Sequence, residues 1–112
     1  MKTLNPYPLE LQLLAERLGG QNRVAILLDV DRSCITRWLK RDMPDLKNQT
    51  KIDGLHYIMS RLLRRFKPAT AQKWLLGINA FLGDQRPMDL IQQDRIAEVA
   101  SAIEQTETGA FA

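Results

Sequence analysis

Cysteine is the first scarcity in these 112 residues: there is one, Cys34, and no internal disulfide can form. The lone histidine, His56, has no cysteine or acidic cluster at ligand spacing beside it, which argues against a zinc scaffold and reads as a structural or surface residue. No stretch approaches the roughly 18–20 apolar residues of a membrane span, and Glu10 follows soon after Lys2 where a signal peptide would have its apolar run. These absences predict a cytoplasmic protein without a membrane partner. Nothing reads as a phosphate loop, a pair of catalytic carboxylates or a nucleophile spaced from a base, so neither an enzyme nor a cofactor is expected. What is present, 45% hydrophobic and 26% charged residues, is the composition of a folded globular domain rather than a disordered chain.

The net charge of +3 is unevenly spread. Residues 31–67 carry ten positive charges against four negative, whereas residues 84–112 carry two against six. A basic block suits phosphate contacts, and an acidic end would be repelled by the same phosphates and suits a different partner.

Apolar spacing predicts an all-helical chain with no strand. Pro6 and Pro8 suggest an extended lead into a helix over 9–18 that stops at Gly19-Gly20. A short helix over 21–28 follows, and Asp31 is placed to cap a third that runs to about Lys40. After a polar connection containing Asp45, Lys47, Asn48 and Gln49, the longest helix is expected over 50–66, with Gly54 loosening its first turn. Pro68 suits the start of the next helix and Gly77 its end. Short elements over 78–82 and 87–92 lead to a last helix from about Asp94 and a tail, Thr108-Gly109-Ala110-Phe111-Ala112.

At about 100° per residue, Arg32, Ser33, Thr36, Arg37 and Lys40 share one face of the third helix, while Ile35, Trp38 and Leu39 lie opposite. An apolar back and a basic front are what a helix-turn-helix asks of its second helix, and residues 21–41 (QNRVAILLDVDRSCITRWLKR) resemble that unit in Xre-type repressors. Those five residues are the candidates for contact with operator DNA, arginines reaching guanine edges and hydroxyls reaching phosphates or bases. Arg61, Arg64, Arg65 and Lys67 could extend a phosphate-binding surface or form an ordinary solvated face.

From Trp74 the chain reads WLLGINAFLGDQRPMDLIQQDRIAEVASAIEQTETGAFA. Trp74, Asn79, Leu82, Gly83, Arg86, Pro87, Asp89, Leu90 and the closing Gly-Ala-Phe-Ala match, in order and spacing, the antitoxin domain of the MbcA/ParS/Xre family, the partners of RES-domain toxins; the chain resembles that family over most of its length. Structural roles account for most of these residues: Gly83 ends a short helix, Pro87 begins another, Asp89 adds negative charge near its N-terminus, and Trp74 and Leu90 serve the core. The tail is different, because unanchored termini are usually polar and this one closes on the aromatic Phe111 followed by the Ala112 carboxylate.

The resemblance implies a helix-turn-helix subdomain over 1–67 packed on a toxin-binding subdomain over 68–112. It implies a tail that enters the active site of an NAD-consuming toxin, with Arg86, Glu107, Gly109, Ala110, Phe111 and Ala112 as the toxin-binding set: Phe111 fills an apolar subsite, and Glu107 or the Ala112 carboxylate meets basic groups. A homodimer, a toxin–antitoxin hetero-oligomer and repression of its own operon are compatible with it. The competing reading is a stand-alone helix-turn-helix transcriptional regulator whose C-terminal part dimerises or binds an effector.

Overall fold

The computed structural model describes residues 4–108; Gly109, Ala110, Phe111 and Ala112 of the expected toxin-binding set lie outside the described residues. Seven α-helices and one 3-10 turn follow in order: α1 (Tyr7–Leu18), α2 (Gln21–Leu28), α3 (Arg32–Leu39), α4 (Leu46–Leu62), α5 (Pro68–Leu76), the turn Ala80–Leu82, α6 (Pro87–Gln92) and α7 (Ile96–Glu107). The chain is all-α among the described residues, with one isolated bridge pairing Asn79 and Gln85. No helix there is long and apolar enough to cross a membrane.

By packing, the chain divides between His56 and Tyr57, inside α4. In the first unit α1, α2 and α3 pack on one another. Leu11, Leu14 and Leu18 form the buried stripe of α1; Val24, Leu27 and Leu28 line α2, Ile35 and Trp38 line α3, and Ile52 and Leu55 are buried on α4. Each such side chain contributes about 1.5–3 kcal/mol by leaving water. In the second unit α6 packs on α5 and α7, around Leu75, Met88, Leu90, Ile91, Val99 and Ile103. Trp74, expected in the core, is half-buried.

Helix ends follow local chemistry. Asp31 caps α3 by accepting the Ser33 amide at 3.0 Å. Gly19 closes α1 in the left-handed region at φ 90°. Three expectations are corrected. The helix predicted to start at 9 starts at Tyr7, because Pro8 in a first turn has no amide to lose and Asn5 Oδ1 accepts the Tyr7 amide at 3.1 Å. The long helix runs over 46–62 rather than 50–66. Asp45, expected in a connection, accepts the Asn48 amide at 3.0 Å and starts the helix. Gly54 therefore sits buried in mid-helix rather than in a loose first turn. The last helix begins at Ile96 because Asp94 adopts φ 60° and turns the chain.

Candidate functional site

The first candidate site is the outer face of α3. Arg32, Ser33, Arg37 and Lys40 are exposed and Thr36 is half-buried, while Ile35 and Trp38 face inward at 0% and 5% exposure. The connection from α2 is tight: Asp29 takes the left-handed conformation, φ 56°, and its amide bonds to Ile26 O. Lys51 Nζ reaches back from α4 to Leu28 O at 3.1 Å, placing a positive charge at the C-terminal end of α2. α2, the tight turn and α3 with its basic front thus follow in the order that a helix-turn-helix requires.

Some of the polar side chains on that face are already engaged. The Ser33 hydroxyl donates to Asp31 Oδ2, Thr36 Oγ1 to Arg32 O at 3.4 Å, and Arg37 Nη2 to Cys34 Sγ at 3.5 Å. The bonds from Ser33 hold the Asp31 carboxyl below its ordinary pKa, so the N-terminus of α3 carries a fixed negative charge beside the cations. Among the described residues, Arg32, Arg37 and Lys40 form no ion pair. The arrangement can bind an anion along the middle and C-terminal part of the helix rather than at its capped start.

Elsewhere in the first unit stands a group that sequence reasoning missed. Tyr7 Oη donates to Asp53 Oδ2 at 3.2 Å and to Gln49 Oε1 at 3.4 Å. Beside them Glu10 is pushed up to about 7 by burial and then by Asp53, and the same two causes push Tyr7 up to about 12. The residues come from α1 and α4, more than forty positions apart, and periodicity carries no signal for such a meeting.

The second candidate site is in the C-terminal unit. Asn79 ties the loop before α6: its Oδ1 accepts the Phe81 amide at 2.9 Å, its backbone oxygen accepts Leu82 and Asp84, and its amide donates to Gln85 O. Gly83 at φ 65° and Asp84 at φ 61° complete the turn. The loop leaves Ile78 75% and Phe81 46% exposed, two apolar surfaces absent from the sequence-predicted set. Beside Phe81 a surface cleft of about 390 Å³ is lined also by Leu90, Arg95, Glu98, Ala102 and Gln105.

Arg86 stands exposed at the start of α6, its guanidinium forked onto Asp89 at 3.0 and 2.8 Å. Glu107, the last residue of α7, accepts from Arg61 Nη2 at 3.1 Å. These two members of the predicted toxin-binding set are thus held in separate ion pairs. Among the described residues no three His, Cys, Asp or Glu side chains gather where a metal could be held.

Among the described residues, seven α-helices and no strand define an all-α fold. Among solved structures it is similar to a chain in the crystal structure of the M. tuberculosis MbcT–MbcA toxin–antitoxin complex: 97% of this chain aligns with 100% of that one, at TM-score 0.79 and 22% sequence identity. At that identity the likeness is one of fold. No protein-family model matches the chain, and no curated protein matches it in sequence.

Proposed function

We propose that this chain is an antitoxin that binds and neutralises a RES-domain toxin which consumes NAD. The observation that carries the reading is the fold shared, over nearly the whole of both chains, with a chain of a toxin–antitoxin complex. The C-terminal sequence supports it. Gly109 and Ala110 are slim and Phe111 is apolar, and the four residues after Thr108 would reach about 14 Å if extended. In this reading residues 108–112 enter the toxin's active site and block it sterically, without chemistry of their own, and Arg86 contacts the toxin from the start of α6. Residues 1–67 dimerise the protein or hold it on its operator through Arg32, Ser33, Thr36, Arg37 and Lys40.

The test is co-expression with the product of the adjacent gene, co-purification, and measurement of cellular NAD with and without residues 108–112. A complex that preserves NAD only with the tail present is the expected result. Full protection by the truncated chain overturns the tail mechanism, and the absence of a complex overturns the antitoxin reading.

A stand-alone regulator is the second reading, favoured by the exposed cations along α3. Replacing Arg32, Arg37 and Lys40 by alanine should abolish operator binding and leave neutralisation intact; loss of both would mean that one surface serves both partners.

A further inference from the structure

The last turn of α7 has an electrostatic problem and a remote solution. Its carbonyl groups point past the helix end and make it negative, yet the turn carries Glu104 and Glu107 and no basic residue. The missing cation comes from α4. Arg61 Nη2 lies 3.1 Å from Glu107 Oε1, and Arg61 Nη1 donates to Tyr57 Oη at 3.2 Å, one helical turn back.

Among the described ion pairs this one differs in two ways. Arg86–Asp89 and Arg95–Glu98 are local pairs three residues apart with side chains 37–51% exposed, whereas Arg61 and Glu107 are 46 positions apart and only 21% and 19% exposed. A local pair steadies its own helix. A shielded pair between two helices fixes the end of one to the side of the other.

Just beyond that fixed point the helix closes: the Thr108 amide bonds to Glu104 O at 3.0 Å and Thr108 Oγ1 to Gln105 O at 3.2 Å. Four residues follow, Gly109–Ala112.

We propose that Arg61, steadied by Tyr57, is a positioning residue for the C-terminal segment: by holding Glu107 it fixes the end of α7, from which that segment continues, and Glu107 acts through this pair rather than by meeting a basic group on the toxin. The inference rests on the tail reading given above. Its physical content is entropic. Every residue of the last α7 turn that frays in the free protein must be ordered again when the complex forms, and each one raises the cost of binding.

The experiment uses the full chain as Arg61→Met, as Glu107→Gln, and as the exchanged double variant Arg61→Glu with Glu107→Arg, beside a chain lacking residues 109–112. Amide hydrogen exchange at Thr106, Glu107 and Thr108 is read on the free protein, and NAD consumption by the co-purified RES-domain partner on the complex. Each single variant is expected to form the complex, to exchange those amides about tenfold faster, and to inhibit about tenfold less well, since easier local opening and weaker insertion share one cause. The double variant should regain both.

Unchanged exchange in the single variants overturns the anchor, as does unchanged inhibition when the tail-deleted chain has lost it. A double variant that regains slow exchange without regaining inhibition shows instead that Glu107 touches the toxin. If the tail-deleted chain inhibits fully, the tail mechanism fails and the positioning role with it, while the exchange data still decide whether the pair holds the turn. Should Arg61→Met fail to fold, Glu107→Gln carries the same test from the helix end.

Discussion

Three exposed cations on α3 of the first unit stand in contrast to three arginines of the second unit that are tied into ion pairs. Along α3 the cations Arg32, Arg37 and Lys40 have no carboxylate partner among the described residues, while the described ion pairs, Arg61–Glu107, Arg86–Asp89 and Arg95–Glu98, all lie in the C-terminal unit. A cation without an ion-pair partner keeps more of its attraction for an external polyanion than one already tied to a carboxylate. A closed pair spends that attraction on holding a helix end or a loop in place. The same residue types thus stand without an ion-pair partner on α3 and hold helix ends or a loop in the other half.

The largest expected effect comes from removing what lies behind the open face. Trp38→Ala, at a position 5% exposed, should destabilise the first unit by about 3–5 kcal/mol in urea denaturation. A loss below about 1 kcal/mol would mean that α3 does not depend on its buried side, well under the range for emptying a core aromatic site. Next is the open charge itself. Replacing Arg32, Arg37 and Lys40 by alanine should leave folding unchanged and flatten the dependence of log affinity for DNA on log salt by about 2.7, near 0.9 for each phosphate no longer neutralised. An unchanged slope would show that these cations do not face phosphates.

The third effect is smaller and follows pH. Burial and Asp53 raise Glu10 from its ordinary 4.5 to about 7. Between those values the folded chain keeps a proton that the unfolded chain releases. The stabilisation is therefore complete below about pH 4.5 and is lost as pH rises through 7, by about 1 kcal/mol once the solvent screening of a partly wet pair is allowed for. Glu10→Gln should flatten this part of the stability curve, and a variant that follows the parent would remove Glu10 as its source. The smallest effect belongs to a closed pair at the surface: Arg86→Ala should leave the unfolding midpoint unchanged, since exposed ion pairs contribute little. Weaker toxin binding by that variant would then mean that the Arg86 guanidinium meets the toxin directly.

Helix ends marked by glycine or proline were legible in the sequence except at α1, where Pro6 and Pro8 suggest an extended lead although Pro8 lies inside the first turn. α2, α5 and α6 fall where Gly20, Pro68 and Pro87 place their starts. α4 was displaced by four residues because Asp45 and Asn48 look like a loop when they are read as polar residues, although they form a cap. The basic face of α3 was equally legible, since one helix obeys one periodicity. Arg61 with Glu107, and Tyr7 with Asp53, were not: each pair is set by how separate helices pack, and a single sequence carries no spacing rule for that. The exposure of Ile78 and Phe81 was hidden for a similar reason. Asn79 turns the backbone there, and apolar side chains in a helical stretch read as core.

The two tryptophans sit one in each half, Trp38 enclosed and Trp74 half-buried. The protein therefore carries its own pair of optical probes. Replacing one indole at a time by phenylalanine leaves a chain whose intrinsic fluorescence reports on a single half, Trp38 emitting at shorter wavelength than the wetter Trp74. Coincident denaturation curves from the two would describe one cooperative event, and separated curves would show which half yields first, with no dye or label added.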